Sequence, residues 1–206
     1  MSGSEKDRCK RIYGRYIKRC LDFALSLVLI LLLLLPMLVI AVCIRIDSEG
    51  EIIFKQKRCG RGGREFVCYK FRTMYQSAPK NIPASSFADY KKYVTRVGGF
   101  LRRSSLDELP QLFNVIRGDM SLVGPRPLIF EEADMHEKRM SDGVYELRPG
   151  ITGMAQISGR NLLDDGEKLE NDRYYLDNLR LLLDFKICIF TIVKIFKKEG
   201  LQSKSE

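Results

Sequence analysis

A mostly apolar segment of 22 residues, Phe23 to Ile44, constrains this chain more than any other feature. As a helix it is long enough to cross the hydrocarbon core of a bilayer, at about 1.5 Å per residue. Pro36 lies near its middle, and a proline inside a helix removes a backbone donor and introduces a kink. The sequence therefore predicts a membrane helix that bends near its centre.

Basic residues flank this segment on both sides. Those before it are Lys6, Arg8, Lys10, Arg11, Arg15, Lys18 and Arg19, and those after it are Arg45, Lys55, Lys57, Arg58, Arg61 and Arg64. Lys and Arg favour the cytoplasmic side of a membrane, so a straight span would place one flank on the wrong side. A helix that enters, bends at Pro36 and returns satisfies both flanks.

Length and charge limit the remainder of the chain. Its 206 residues suit one compact domain (47–206) behind a basic lead-in and membrane helix (1–46). The net charge of +9 fits an anionic partner, which could be a lipid headgroup, a nucleotide or a nucleic acid. The six cysteines form no CxxC pair or Cys/His cluster, which disfavours a zinc site.

Local patterns predict a mixed α/β (α+β) fold. We expect strands over 51–57 and 65–74, joined as a hairpin by the glycine-rich turn 59–64, and helices over 87–103 (with a break near Gly98-Gly99), 105–116 and 174–198. Residues 5–20 suggest a helical lead-in lying in the membrane interface, or a solvated tail. The apolar stripe from Leu179 to Phe196 fits either an interfacial helix or a buried core helix.

Two adjacent carboxylates, Asp107 and Glu108, mark the densest candidate site, in RRSSLDELPQLFN (102–114). One interpretation is structural: Ser105 to Glu108 matches a capping box at a helix start. The other is functional, because arginines such as Arg102 beside paired carboxylates suit a phosphate substrate with a bound divalent cation.

Other residues could join such a site. The two prolines that flank Arg126 in GPRP limit its backbone freedom, and an arginine ordered in this way suits bidentate recognition of a phosphate. Alternatively, Arg126 is an ordinary turn arginine. Lys70 and Arg72 would share one face of a strand, which could equally be a solvated face. Arg160 follows Gly159 in a weak SGR signal, and Asp172 in ENDRYY could ligate a metal or face water. We interpret His136, the only histidine, as a surface residue.

Together these segments resemble the bacterial sugar transferase family, the small monotopic polyprenyl-phosphate phosphoglycosyl transferases, over roughly residues 15 to 200. The resemblance rests on KRCLD (18–22), YKFRTM (69–74), RRSSLDELPQLFNVIRGDMSLVGPRP (102–127), RPGITGMAQISGRN (148–161) and NDRYYLDN (171–178). It implies an α/β catalytic domain behind one re-entrant helix, with further helices in the interface. The family's membrane turn uses a Ser-Pro pair, whereas Leu35 precedes Pro36 here.

The resemblance also implies a reaction: transfer of a sugar 1-phosphate from a UDP-sugar to polyprenyl (undecaprenyl) phosphate, with release of UMP. Asp107 would be the nucleophile, forming an aspartyl-phosphosugar intermediate close to Mg²⁺, and Glu108 would act on the acceptor phosphate. Arg102 and Arg126 look like phosphate ligands, Lys70 and Asp172 match motif positions, and Arg160 would hold the uridine or its phosphate.

The implied setting is the cytoplasmic face of a bacterial inner or plasma membrane, with membrane lipids as partners, no nucleic acid, and a homodimer left open. A rival enzyme hypothesis is a transferase or hydrolase acting on another lipid-linked phosphate. A non-enzymatic rival is a membrane-tethered basic module that binds anionic lipid or nucleic acid, which explains the charge but not Asp107 and Glu108 between arginines.

Overall fold

The computed structural model describes residues 12–79, 90–159 and 162–197, which form one mixed helix-and-strand domain behind a long apolar helix, as predicted. Its strands within these ranges are β1 (Ile53–Cys59), β2 (Glu65–Phe71), β3 (Ser121–Val123) and β4 (Gly150–Thr152). Its α-helices there are α1 (Lys18–Asp47), α2 (Arg96–Ser104), α3 (Gln111–Arg117), α4 (Ala133–Ser141), α5 (Met154–Ser158), α6 (Asp165–Asp177) and α7 (Leu181–Lys197). β1 and β2 pair antiparallel, and β3 pairs parallel with β4.

Helix α1 contains the predicted apolar segment and continues through Pro36 without interruption. With the preceding π-helical turn (Tyr13–Ile17), it is the one helix among the described residues that is long and apolar enough to cross a membrane. Its buried side chains recur at helical spacing along one face and include Ser26, Ile30, Met37 and Ile44. The opposite face is exposed and apolar, with Leu32 and Leu35 at 70% and 71% exposure. One face of α1 therefore packs on the domain while the other is left for lipid.

Both ends of α1 are attached to the same domain. Near its start, the Arg19 guanidinium donates to the carbonyl oxygens of Val115 (2.5 Å) and Ile116 (2.8 Å) in α3. At its last residue, the Asp47 carboxylate accepts a hydrogen bond from the backbone N–H of Val97 (3.0 Å) in α2. The domain thus contacts α1 at both termini.

Arg72 reinforces the second attachment. Its buried guanidinium donates to the carbonyl oxygens of Ser48 (2.6 Å) and Glu49 (2.7 Å), just beyond α1. Arg72 directly follows β2, which ends at Phe71, and its guanidinium contacts the end of α1, whereas Lys70 contacts Glu108.

The predicted hairpin is confirmed. β1 and β2 are joined through Arg61–Gly63, where Gly62 and Gly63 have φ of +68° and +75°, a conformation that glycine adopts at little cost. The strand register places Lys70 opposite Phe54 and Arg58 opposite Phe66. Because alternate residues share a face, Arg58 and Lys70 lie on the same face of the hairpin.

Gly98 and Gly99 lie inside α2, so the predicted helix break at these residues is wrong. Helix α2 begins at Arg96, and the Thr95 side chain caps it by accepting a hydrogen bond from the N–H of Gly98 (2.9 Å). Gly98 is needed for packing, since a Cβ there would lie 2.1 Å from the carbonyl oxygen of Thr73. Glycine lets α2 touch the backbone that follows β2.

The C-terminal segment predicted as one helix over 174–198 is divided between α6 and α7. The Tyr175 hydroxyl donates across the break to Asp184 (2.6 Å), and Leu183 and Ile187 pack in the same core cluster as Tyr175. The remaining sides of α7 are apolar but exposed, with Leu182 at 74%. α7 therefore has one face buried in the core and an exposed apolar face.

A set of buried polar groups, here called the buried charged cluster, joins α1 to α6, α7 and β3. It comprises Tyr13, Lys18, Asp22, Tyr175 and Asp184. Asp184 accepts hydrogen bonds from Tyr13, Lys18 and Tyr175, each at 2.6 Å. Lys18 also lies 3.8 Å from Asp22, one helical turn away, and Asp22 accepts a hydrogen bond from the Ser121 hydroxyl (2.7 Å).

The predicted interfacial lead-in is only partly visible. Residues 5–11 lie outside the described residues. Of the rest, Tyr13 is buried, whereas Tyr16 and Ile17 are 61% and 47% exposed. An exposed apolar surface therefore continues from α1 into the turn before it.

Candidate active site

Asp107 and Glu108 lie in a single 3-10 turn, Leu106–Glu108, between α2 and α3; we call it the carboxylate turn. Ser105, which ends α2, has φ of +56° and is the one non-glycine residue with positive φ among those the structure describes. Its side chain makes no capping hydrogen bond, so the capping-box interpretation is wrong. A left-handed serine is strained, and such strain is concentrated at functional sites.

The carboxylate of Glu108 is paired with Lys70 of β2. Their Nζ and Oε1 atoms are 2.7 Å apart, and the two side chains are 16% and 22% exposed. Ion pairs at this depth are less screened than surface pairs, while the remaining exposure leaves access for a ligand. The structure thus brings together two predicted site residues that are 38 positions apart in the sequence.

Arg58 of β1 is a member of this site that the sequence analysis did not select. It donates to the carbonyl oxygen of Pro127 (3.0 Å), beside Arg126. Burial and, secondly, the charge of Arg126 lower the pKa of the Arg58 guanidinium, while nearby Glu108 opposes that change. The sequence did not indicate that Arg58 belongs to the site, because its placement depends on the register of the hairpin. That register puts Arg58 on the face that carries Lys70.

The thiol of Cys68 locates the centre of this charged region. It is 2% exposed, and burial raises its pKa. Lys70, Arg58 and Arg126 act in the opposite direction, and Glu108 adds to the rise. These four charged side chains therefore lie within electrostatic range of one buried atom, and three of the four are cationic, as the recognition of a phosphate requires.

Arg126 is held through its backbone, and its side chain is exposed between the buried Pro125 and Pro127. The Arg139 guanidinium donates to the carbonyl oxygen of Arg126 (2.7 Å) and to the Asp172 carboxylate (2.6 Å). Asp172 is 1% exposed; burial raises its pKa, and the charge of Arg139 opposes that rise. Asp172 therefore reaches the site through Arg139, which the sequence analysis missed.

Helix α4 holds the same loop at a second point. The predicted surface residue His136 is half-buried, with its Nδ1 against the Tyr145 hydroxyl and its Nε2 2.8 Å from the carbonyl oxygen of Ile129. His136 and Arg139 are three residues apart on α4, and so are the two carbonyls that they contact, Arg126 and Ile129. The sequence pattern was misleading because the adjacent charged residues Glu137 and Lys138 are exposed, whereas the His136 ring contacts Ile129.

Arg102 lies in the last turn of α2, directly before the carboxylate turn. Its Nε donates to the Thr73 hydroxyl at 2.8 Å. This contact depends on Gly98, whose missing side chain allows α2 to approach Thr73. Arg102 is thereby placed between the end of β2 and the carboxylates.

Asn114 of α3, also missed, fixes the carboxylate turn against the hairpin. It is fully buried, its Oδ1 accepts from the backbone N–H of Tyr69 (3.0 Å), and its Nδ2 donates to the carbonyl of Val67 (2.7 Å). One side-chain amide thus satisfies two backbone groups of β2. The only signal in the sequence was a polar residue within an apolar helical stretch.

Of the remaining predicted site residues, Arg72 does not join this group. Arg72 anchors the end of α1, as described above. Arg160 lies outside the described residues. Pro36 is exposed on α1.

Magnesium would have few protein ligands here. Among the described residues no three His, Cys, Asp or Glu side chains converge as a metal site. Mg²⁺ at phosphate-transfer sites is commonly held by one or two carboxylates together with the substrate's own phosphates. The carboxylate turn fits that mode, because Glu108 is paired with Lys70 and the adjacent Asp107 supplies a second carboxylate.

Comparison with known proteins extends these observations. A profile of the family described as "Bacterial sugar transferase" matches residues 13–198. The chain is 37% identical over 186 residues to the uncharacterized sugar transferase EpsL of Bacillus subtilis, covering 90% of each protein. It is 40% identical to the UDP-N-acetylgalactosamine-undecaprenyl-phosphate N-acetylgalactosaminephosphotransferase of Aeromonas hydrophila (90% of this chain, 45% of the relative). It is 37% identical to the UDP-glucose:undecaprenyl-phosphate glucose-1-phosphate transferase of Xanthomonas campestris pv. campestris (86% and 38%). The chain thus spans nearly all of the first relative and less than half of the other two.

Proposed function

Because this chain belongs to the bacterial sugar transferase family, we propose that it transfers a sugar 1-phosphate from a UDP-sugar to polyprenyl phosphate and releases UMP. Two relatives are named for undecaprenyl-phosphate transfer with different sugars, N-acetylgalactosamine and glucose. The observation that carries the proposal is the carboxylate turn, where Asp107 adjoins a Glu108 paired with Lys70 among arginines.

In the first step, a carboxylate oxygen of Asp107 attacks the β-phosphorus of the UDP-sugar. A bond forms between that oxygen and phosphorus, and the bond to the bridging oxygen breaks, so that UMP leaves with the electron pair. An aspartyl-phosphosugar remains on the protein. Covalent catalysis of this kind divides one transfer into two displacements.

In the second step, Glu108 takes a proton from the phosphate of the acceptor lipid. The lipid oxygen attacks the phosphorus of the intermediate, and the Asp107 carboxylate is released. Lys70, at 2.7 Å, keeps Glu108 oriented and stabilises its anion before the proton arrives. Arg58, Arg102 and Arg126 bind and orient the phosphates; Asp172 contributes through Arg139.

Magnesium, when bound, would neutralise charge on the diphosphate of the donor. Asp107 is the residue that would hold it together with the substrate's phosphates. The arginines and Lys70 would neutralise the remaining negative charge on those phosphates.

The membrane arrangement that we propose is monotopic, with a re-entrant α1 and the domain on the cytoplasmic face of a bacterial membrane. It is supported by the attachment of both ends of α1 to one domain and by basic residues on both flanks. The exposed apolar face of α7 would lie in the interface. The active site would then meet a soluble donor and a lipid phosphate at the same surface.

A labelling experiment tests this function. The full chain in detergent micelles is mixed with Mg²⁺ and a panel of UDP-sugars labelled in the β-phosphate, without acceptor lipid. We expect a suitable donor to leave label on the protein together with an equal amount of UMP. Adding polyprenyl phosphate should then move the label into lipid.

Two variants separate the steps. Asp107→Asn should take up no label, whereas Glu108→Gln should take up label but transfer it slowly to lipid. Release of UDP instead of UMP would contradict the reaction, and lipid product formed without labelled protein would contradict the covalent route.

A further inference from the structure

A groove lies beside α1, where the hairpin and α3 meet it. Its volume is about 630 Å³, and it is bounded by α1, β1, β2 and α3. Cavities that hold small molecules commonly measure about 300–1,000 Å³. The groove is therefore large enough for part of a ligand.

The floor of the groove is apolar. It is lined by Met37 of α1, one residue after Pro36, by Ile52 before β1, and by Phe113 of α3. Phe113 is 43% exposed and lines the groove, so its ring is available to a ligand. Since α1 contributes to the wall and its outer face is the exposed apolar surface, a hydrocarbon chain could pass from the bilayer onto this floor.

The rim of the groove is basic. Lys55 lies opposite Tyr69 in the hairpin register, and Arg117 of α3 donates to the Tyr69 hydroxyl at 2.6 Å. The Arg117 guanidinium also lies over the Tyr69 ring, 5.4 Å from its centroid, so its position is restrained. Glu51 is the one acidic residue that lines the groove, and the rim is therefore net cationic.

This groove is distinct from the candidate active site. Lys55 and Tyr69 are opposite each other in the register, and both lie on one face of the hairpin. Arg58 and Lys70 lie on the other face, because side chains alternate along each strand. The cations of the groove therefore do not serve the Asp107 and Glu108 carboxylates.

We propose that the groove binds an anionic phospholipid of the surrounding bilayer. Its phosphate lies between Lys55 and Arg117, and one acyl chain lies against Met37 and Phe113. The charge of the rim matches a phosphate-bearing headgroup, and the apolar floor adjoins the membrane helix. Basic residues near an anionic lipid surface attract it, and each contributes to affinity. This site goes beyond the proposed transfer reaction and does not depend on it.

Lipid retention by the full chain tests the proposal. The protein is placed in nanodiscs of phosphatidylcholine containing a minor fraction of phosphatidylglycerol, and bound lipid is counted by native mass spectrometry after release. We expect the wild type to retain phosphatidylglycerol. The Lys55→Gln/Arg117→Gln variant should lose affinity for it on the order of tenfold, since two basic contacts are removed.

The control is Lys57→Gln/Arg61→Gln, which also removes two positive charges, both of them from the hairpin. Both side chains are exposed and outside the groove, so retention should stay within about twofold of the wild type. Phe113→Gln tests the floor and should also lower retention. If the double variant fails to fold, Lys55→Gln alone can be used, because the Lys55 side chain is exposed and its replacement should leave the fold intact.

Three results would overturn the proposal. Equal loss in the groove and control variants would mean that only total charge matters. Equal retention of phosphatidylcholine and phosphatidylglycerol would exclude recognition of the headgroup charge. Displacement of phosphatidylglycerol by an equal amount of polyprenyl phosphate would assign the groove to the acceptor lipid instead.

Discussion

Two regions of this protein each combine a lysine with two carboxylates, and their surroundings differ. In the buried charged cluster, Lys18 lies with Asp22 and Asp184, and all three side chains are no more than 11% exposed. In the candidate active site, Lys70 lies with Glu108 at 22% and 16% exposure, and Asp107 is adjacent and half-buried.

The difference lies in how the carboxylates are engaged. Asp184 accepts three hydrogen bonds from buried protein donors, which is the state expected of a structural charge. Glu108 is oriented by one lysine and lies among arginines at a partly open surface. The same residue types therefore attach a membrane helix in one region and are placed for chemistry in the other.

The sharpest test of this contrast is Asp107→Asn. We expect turnover to fall by roughly 10⁴-fold or more, because an amide cannot act as the nucleophile. The free energy of unfolding should fall by no more than about 1 kcal/mol, since asparagine keeps the shape of this half-buried side chain. UMP release and thermal unfolding of the full chain in one detergent measure both quantities. Appreciable turnover in this variant would remove Asp107 from its assigned role.

Asp184→Asn should show the reverse pattern. Removing one partner of a buried ion pair leaves Lys18 with only Asp22 at 3.8 Å, and such losses cost about 3–5 kcal/mol. Activity per folded molecule should change little. Asp165→Asn is the matched control, because its pair with Lys168 is exposed and should contribute less than about 1 kcal/mol. If both variants unfold alike, the buried charged cluster is not the attachment that we describe.

Gly98→Ala and Gly99→Ala compare two neighbours in α2. A Cβ at residue 98 would lie 2.1 Å from the Thr73 carbonyl, so we expect a loss of about 1–3 kcal/mol and displacement of Arg102. At residue 99 the nearest atom is 3.7 Å away, and alanine should be neutral or stabilising by up to about 1 kcal/mol. The denaturation midpoints of the two variants measure this difference in stability. Equal shifts in the two midpoints would contradict the packing role of Gly98.

Asp172→Asn probes the indirect support of Arg126. Weakening the hold on Arg139 should loosen the loop and lower kcat/KM roughly tenfold, with the loss mainly in KM for the UDP-sugar. Asp177→Asn, exposed on the same helix, should leave kinetics unchanged. If Asp172→Asn lowers stability without any change in KM, its role is structural only.

Several elements followed from the sequence because their signals are local. The apolar run of α1 and the hairpin with its glycine turn each depend on residues a few positions apart. The helix breaks were misplaced because they depend on packing: α2 contains Gly98 to fit Thr73, and α6 ends where Tyr175 meets Asp184. The adjacent Asp107 and Glu108 were visible as a pair, but their 3-10 geometry was not.

The sequence by itself determined the apolar anchor, the adjacent carboxylates and, through its motifs, the family. Only the tertiary structure decided which distant residues serve them: it brought Arg58 to the loop of Arg126, linked Asp172 to that loop through Arg139, and assigned Arg72 to the end of α1. The reason is physical. Periodicity reports which face a side chain occupies within one element, whereas contacts across tens of residues depend on how the elements pack and on strand register.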